Sequence, residues 1–176
     1  MRISYPKLVL AGLFAVYFLW IALKPMDGSF LDIVDLPIHE TGHLLFRPFG
    51  EFMMVAGGSL FQVIVPLIFF GYFVWNEKPF SASIVLFWVG QSLINVFIYA
   101  DDAVRMQLVL TSGITGSEGS FHDWNYMLTT LGLIKSTPAV AGLIRVLGTL
   151  TMIAAIVGSV YYSVFSVDEG RSFDRD

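Results

Sequence analysis

Long apolar runs separated by short polar segments dominate the chain. The first run, Leu8–Leu23, lies between basic residues, and three more follow at Ser59–Trp75, Ser81–Ala100 and Pro138–Phe165. Because about 20 helical residues cross the ~30 Å hydrocarbon layer of a bilayer, runs of this kind predict membrane-spanning helices. A signal peptide is the alternative for the first run, but no small-x-small cleavage site precedes Lys24, which favours an uncleaved anchor.

A fifth apolar segment, Phe30–Phe46, differs from the others because it carries acidic and imidazole side chains. Four of these recur every three or four residues: Asp32, Asp35, His39 and His43. On a helix this spacing forms one narrow stripe. A helix lying on the membrane surface is the alternative. The narrow stripe favours a fifth span whose polar face points into the bundle, since ionisable groups at membrane depth are costly and usually functional.

These runs predict an all-α fold, a polytopic transmembrane helix bundle of about five spans. Residues 1–167 are expected to form one membrane domain, with spans near residues 8–23, 30–46, 59–75, 81–100 and 138–165, and residues 168–176 a polar tail. Asp35 is a candidate N-cap for a helix that begins near Leu36, because a carboxylate can accept an unpaired backbone N–H at a helix start.

Composition supports a membrane protein and excludes several functions. Hydrophobic residues make up 56% of the chain and charged residues 14%, against about 45–50% and about 25% in soluble domains. With a net charge of -4 and no basic cluster, nucleic-acid binding is not expected. The chain has no cysteine, which excludes disulfides and thiolate zinc sites. A short chain with a basic N-terminal anchor and no sorting signal suits the cytoplasmic membrane of a prokaryote.

The motif His39-Glu40-Thr41-Gly42-His43 predicts a metal site. HExxH on a helix places two imidazoles on one face, one turn apart, where both can ligate a single Zn²⁺. The glutamate then lies beside the open coordination position and can take a proton from the bound water. The alternative is a pair of buried histidines that serve packing alone. Gly42 fits the metal interpretation, because a missing side chain lets another backbone approach the ligand helix.

A catalytic zinc site of this type needs a third protein ligand. The candidates are the aspartates at the end of the Ser81–Ala100 run and two residues of the loop that follows: Asp101, Asp102, His122 and Asp123. The residues alone do not select among them. Both pairs also have ordinary interpretations, as polar positions at a span end or in an interfacial loop.

The sequence resembles the site-2 protease family of intramembrane zinc metalloproteases. One shared feature is HETGH within an apolar segment. Another is the run that opens with Gly57 and Gly58, which is similar to the family's Gly-Pro-x-x-Asn motif with Ser59 in place of proline and Gln62 in place of asparagine. The resemblance covers about Phe30–Arg105.

A third shared feature is Asn95 followed by Asp101 and Asp102, which is similar to the family's Asn-x-x-Pro…Leu-Asp-Gly element without its proline and glycine. The aspartate of that element is the family's third zinc ligand. The resemblance therefore implies Asp101 or Asp102, and we choose Asp102 because it lies two helical turns after Asn95. It also implies that Gln62 and Asn95 hold the substrate backbone or the developing oxyanion. Interhelical hydrogen bonding is the alternative role for both amides.

The resemblance also has an implication for Glu51–Gly58, the short apolar stretch after the metal motif. The matching stretch in the family forms an extended re-entrant element beside the active site. A free strand edge there could add a substrate by β-augmentation. An ordinary interfacial loop is the alternative.

The expected function is an intramembrane zinc metallopeptidase that hydrolyses a peptide bond in or near a membrane segment. In the expected site, His39, His43 and Asp102 ligate Zn²⁺. Glu40 acts as the catalytic base, and Gln62 and Asn95 bind the substrate. The expected partners are a membrane protein or peptide substrate, the lipid bilayer and a regulatory membrane partner. The alternatives are a non-proteolytic membrane zinc-binding protein, or a proton-relay or assembly subunit that retains the HExxH site.

Overall fold

The structure, a computed structural model, describes residues 3–165 and consists of helices joined by short connections, except for a longer segment, residues 102–122, between α4 and α5. Apart from one isolated antiparallel bridge between Val109 and Thr115, the described part contains no β-structure. The expected polar tail, residues 168–176, lies outside the described residues. The six α-helices are α1 (Tyr5–Leu23), α2 (Asp32–Phe46), α3 (Glu51–Trp75), α4 (Pro79–Asp101), α5 (Asp123–Thr130) and α6 (Thr137–Val164).

Four helical segments in residues 3–165 are long and apolar enough to cross a membrane: Tyr5–Leu23, Glu51–Trp75, Pro79–Asp101 and Ile134–Val164. They contain the four long apolar runs of the sequence. The fifth expected span is not among them. The helix in that segment, α2, has 15 residues and is about 22 Å long, shorter than the ~30 Å hydrocarbon layer. The all-helical fold is thus observed, with four candidate spans where about five were expected.

The expected re-entrant β element is replaced by helix. Glu51–Gly58 forms the first two turns of α3, which continues without interruption to Trp75. Gly50 precedes the helix with φ +96°, a conformation that glycine adopts without strain. Two glycines inside a helix each cost about 1 kcal/mol relative to alanine. Here they allow α2 to pack closely against α3, which offsets that cost.

The helices pack around α3 and α4, which form an antiparallel pair. α4 packs most extensively against α6, and α1 covers both. Their shared core contains Phe18 from α1, Phe87 and Ile94 from α4, and Met152 from α6. α2 lies on the opposite side, against α3. The bundle therefore holds α2 on one flank, with its polar stripe turned toward the other helices.

The polar stripe of α2 faces the bundle, as its spacing indicates. Asp35 is 1% exposed, and its carboxylate accepts hydrogen bonds from Trp88 Nε1 at 2.7 Å and Ser92 Oγ at 3.3 Å, both on α4. The expected N-cap role of Asp35 is wrong, because α2 begins at Asp32 and Asp35 lies within its first turn. The turn before α2 is held instead by Asp32, whose Oδ2 accepts the Ser29 N–H at 2.7 Å.

Gly57→Ala should destabilise the protein because α2 and α3 touch at this residue. An added Cβ would lie 2.6 Å from the Gly42 carbonyl oxygen and 2.6 Å from Phe46 Cβ. Overpacking of this kind costs about 1–3 kcal/mol. Thermal unfolding in detergent, followed by tryptophan fluorescence, should show a lower midpoint. Gly71→Ala is the matched control on the same helix, since no atom lies within 4 Å of its added Cβ. Equal midpoints for the two variants would contradict the close crossing.

Candidate metal centre

The two histidines of HETGH lie side by side on α2. Their ring centroids are 4.8 Å apart. His39 is 8% exposed, and His43 is partly buried. Gly58 of α3 lies directly against the rings, since a Cβ added there would be 2.5 Å from His39 Nε2 and 2.7 Å from His43 Cε1. Gly42 meets the backbone of Gly57 in the same way, which confirms the expected close approach of another backbone to the ligand helix.

Each imidazole is held through its Nδ1 atom by an acceptor on α3. His39 Nδ1 lies 3.1 Å from Gln62 Oε1, and His43 Nδ1 lies 2.9 Å from the Met54 carbonyl oxygen. A carbonyl oxygen can only accept, so Nδ1 carries the proton in both rings. The Nε2 atoms are then left with lone pairs. This is the arrangement in which metal-binding histidines are oriented by a second set of hydrogen bonds.

Asp123 supplies the third group. Its Oδ2 atom lies 3.1 Å from His39 Nε2 and 3.3 Å from His43 Nε2, and the three candidate ligand atoms lie within 4.8 Å of one another. Asp123 is 7% exposed. Burial alone would raise the pKa of its carboxyl, but without a metal the imidazoles can take up an added proton on Nε2 and share it with the carboxylate, which outweighs burial and holds this pKa below its usual value. The group is therefore a carboxylate at neutral pH.

This donor set fits a divalent metal. With both Nδ1 atoms protonated, two Nε2 lone pairs and one carboxylate oxygen converge on a single point. Such an arrangement is favourable only if a cation is shared among them, either an added proton or a metal ion. Two imidazoles and one carboxylate are a common ligand set of catalytic zinc, which leaves one coordination position open.

Hydrogen bonds to α3, to α4 and to the residues after α4 hold Asp123 beside His39 and His43. Its backbone N–H donates to Tyr99 Oη at 3.0 Å. The next residue, Trp124, donates Nε1–H to Ser59 Oγ at 3.1 Å, and Asn125 donates Nδ2–H to the Ala103 carbonyl at 2.8 Å. α5 is thereby attached to both α3 and α4.

Asp102, the expected third ligand, is not part of the group that His39 and His43 form with Asp123. Asp102 Oδ1 accepts the Gln107 N–H at 3.0 Å, and its Oδ2 accepts the Leu108 N–H at 2.9 Å. Its carboxylate thus organises the loop that follows α4. Asp101 is also not at the site, since it forms a partly exposed ion pair with Arg105 at 2.6 Å.

His122, another candidate ligand, caps α5 instead. Its Nδ1 accepts the Asn125 N–H at 3.3 Å, so the proton of the neutral ring is on Nε2. That atom lies 3.4 Å from Asp102 Oδ2, close enough for attraction but not aligned as a hydrogen bond. Burial lowers the pKa of His122, which outweighs the opposing effect of Asp102, so the ring is neutral at pH 7.

Glu40 and the histidines line one cavity of about 570 Å³. Glu40 is exposed, in contrast to the adjacent His39, which is buried. Asp123 lines the cavity as well, together with apolar residues of α2, α3 and α4 and of the loop after α4. A carboxylate beside an accessible metal site is placed where a general base would act. The catalytic role of Glu40 stays a prediction.

Gln62 and Asn95 join the site to α2 through a chain of hydrogen bonds. Gln62 Oε1 accepts from His39, and Gln62 Nε2 donates to Asn95 Oδ1 at 2.8 Å. Asn95 Nδ2 in turn donates to Asp32 Oδ1 at 3.1 Å. The interhelical role considered for both amides is thus observed. Because both residues also line the cavity, their contact with a substrate stays a prediction.

Two contributors to the site could not be named from the sequence. The Met54 carbonyl is a backbone group, and no side-chain pattern marks it. Tyr99 could have been suspected as an aromatic residue near the end of α4, but its partner Asp123 lies 24 positions away.

Comparisons of the chain with protein-family models, with curated proteins and with solved structures find no match. The similarity to site-2 proteases therefore rests on the sequence motifs alone.

Asp123→Asn should weaken zinc binding by about 100-fold or more, because it removes the charge of a ligand buried against two imidazoles. Competition with a chromophoric chelator on the purified protein measures the dissociation constant. Asp101→Asn is the control, since Asp101 is an aspartate in an exposed ion pair away from the histidines. A larger loss in Asp102→Asn than in Asp123→Asn would contradict this ligand assignment.

Gln62→Met should weaken zinc binding by about 10–100-fold, the usual effect of removing a group that orients a metal-binding histidine. The variant keeps the buried volume near its original value and removes the acceptor for His39 Nδ1–H. Gln91→Met is the matched control, because Gln91 is also a buried glutamine but donates to Asp32 rather than contacting a histidine. Equal zinc affinities in the two variants would show that the amide does not orient His39.

Proposed function

We propose that this chain is an integral membrane zinc metallopeptidase that hydrolyses a peptide bond in or near a membrane segment of a protein substrate. The observation that carries the proposal is the convergence of both Nε2 atoms on the Asp123 carboxylate, with Glu40 on the same cavity. Of the candidate metals, zinc suits two imidazoles and one carboxylate best.

The residues have distinct roles in this proposal. His39, His43 and Asp123 hold the metal. Zinc in such a site lowers the pKa of bound water toward neutrality and polarises a carbonyl. Glu40 takes a proton from the attacking water and returns it to the leaving amine, as a general base and then a general acid. Its exposure to the cavity supports this role, because the group must reach both water and substrate.

Gln62 holds His39 in the required orientation, with Asn95 and Asp32 behind it. This series of hydrogen bonds argues against a proton relay. Gln62 and Asn95 are amides, which do not ionise at neutral pH, and both Nε2 lone pairs face a carboxylate. Hydrogen-bonded amides of this kind orient an imidazole better than they transfer protons.

A membrane segment is the substrate that the surroundings favour. α3 and α4, both long and apolar enough to cross a membrane, contribute residues to the cavity, and much of the cavity lining is apolar. We further propose a multi-pass protein of a prokaryotic cytoplasmic membrane, with access regulated by a membrane partner. The motif resemblance to site-2 proteases supports the activity. Besides the substitutions within the motifs, this proposal departs from the family in taking the third ligand from α5 instead of the end of α4.

Glu40→Gln tests the enzymatic proposal. Purified protein in liposomes is incubated with single-span test proteins and with fluorescein-labelled casein, and new N-termini are identified by mass spectrometry. The turnover number should fall by about 10²–10⁴-fold, the usual contribution of a general base, while zinc content stays near that of the unmodified protein.

Glu51→Gln is the matched control for that experiment. Glu51 is also an exposed acid, at the start of α3, but it does not line the cavity. Cleavage by Glu40→Gln at the unmodified rate would overturn the proposed mechanism. Zinc bound by a protein that cleaves no substrate, with or without Glu40, would favour a metal-handling function.

A further inference from the structure

A short hairpin follows α4 and turns back at Gly113. Leu110 donates its N–H to the Ile114 carbonyl at 3.0 Å, and Gly113 donates to the Leu110 carbonyl at 2.8 Å. Gly113 has φ +82°, which glycine adopts without strain. One residue further out, Val109 and Thr115 form an isolated antiparallel bridge. The chain at Val109 is therefore extended and paired on one side.

The other side of Val109 is a free strand edge. Hydrogen-bonded and non-hydrogen-bonded pairs alternate along an antiparallel ladder. The Leu110 N–H bonds to Ile114, so the adjacent Val109–Thr115 pair is of the non-hydrogen-bonded type. The N–H and C=O of Val109 then point away from Thr115. Within residues 3–165 neither group has a backbone partner.

The residue that carries this edge borders the candidate metal centre. Val109 lines the cavity that also contains the three candidate ligands and Glu40. Val109 is 71% exposed, and two further exposed apolar residues, Phe121 and Met26, line the same space. A residue with an unpaired donor and acceptor thus lies, together with apolar surface, at the space in which a substrate would meet the metal.

We propose that Val109 pairs through its backbone with an extended apolar polypeptide, the substrate of the proposed peptidase. The inference rests on the proposed function. A helical segment hides its carbonyls in its own hydrogen bonds, whereas a strand presents alternate carbonyls to one side. Pairing with an existing strand edge supplies main-chain hydrogen bonds that hold such a segment, and the apolar surface receives its side chains.

A series of zinc-binding peptides tests the pairing. Each probe is a fluorescein-labelled hexapeptide of alternating leucine and alanine with a C-terminal hydroxamate, which anchors on zinc and fixes the register. One backbone nitrogen in each probe is methylated. Anisotropy titration of the zinc-loaded protein should single out one position, the N–H that pairs with the Val109 carbonyl, where methylation weakens binding by about 3–10-fold, the usual value of one hydrogen bond. Methylation at the other positions should have little effect.

Two variants test the protein side of the same contact. Val109→Pro removes the backbone N–H and should weaken binding of the unmethylated probe by about 3–10-fold. Val109→Ala keeps this N–H and should retain most of the affinity for the probe. Zinc affinity unchanged in both variants shows that the site is intact. If Val109→Pro changed the zinc affinity, the methylation series on the unmodified protein would decide whether the Val109 backbone pairs with the probe.

The outcomes separate this inference from the proposed function. Zinc-dependent binding that no single methylation weakens overturns the strand edge and leaves the peptidase proposal standing. A protein that binds no zinc overturns both. Weaker binding at one methylated position, in a protein that cleaves no substrate, supports the strand edge and overturns the peptidase.

Discussion

The contact between α2 and α3 at Gly42 and Gly57 is the constraint on which the candidate site depends. Neither position has room for a side chain, so the two helix backbones meet directly. At this separation the Met54 carbonyl and the Gln62 amide of α3 come within hydrogen-bonding distance of the imidazoles of α2. Gly58 leaves the space that the two rings occupy. A wider crossing would separate the rings from their acceptors.

The second requirement is a way to keep buried acids stable beside apolar helices. Asp32 and Asp35 lie on the bundle side of α2, where an unpaired polar group would cost several kcal/mol. Donors from α4 meet them: Trp88 and Ser92 for Asp35, and Gln91 and Asn95 for Asp32. The polar stripe of α2 is thus matched by a polar face of α4, which explains why a helix with this composition packs inside the bundle.

Much of the fold and part of the site could be predicted from the sequence, because both follow from local spacing. Apolar runs mark α1, α3, α4 and α6, and the four-residue spacing of His39 and His43 sets both imidazoles on one face. The extended conformation expected for Glu51–Gly58 followed from the motif resemblance alone, and the two glycines do not show whether a helix continues through them. Their effect depends on the neighbouring helix, which a linear sequence does not contain.

The third ligand could not be predicted, because it depends on how a loop closes. Asp101, Asp102 and Asp123 are chemically equivalent, and only tertiary contacts distinguish them. Trp124 reaches Ser59 across 65 positions, and the Asp123 N–H reaches Tyr99 across 24. Once α5 is attached in this way, Asp123 meets the histidines, while Asp102 is occupied by the backbone of its own loop.

The acceptor for His43 has a consequence for the genetics of this protein. Met54 contributes its main-chain oxygen to the imidazole, and every amino acid carries that oxygen. A deep mutational scan would therefore rate codon 54 by side-chain packing alone and would miss its part in orienting the ring. Only a change in the course of the chain, such as an inserted or deleted residue near the start of α3, would reveal it.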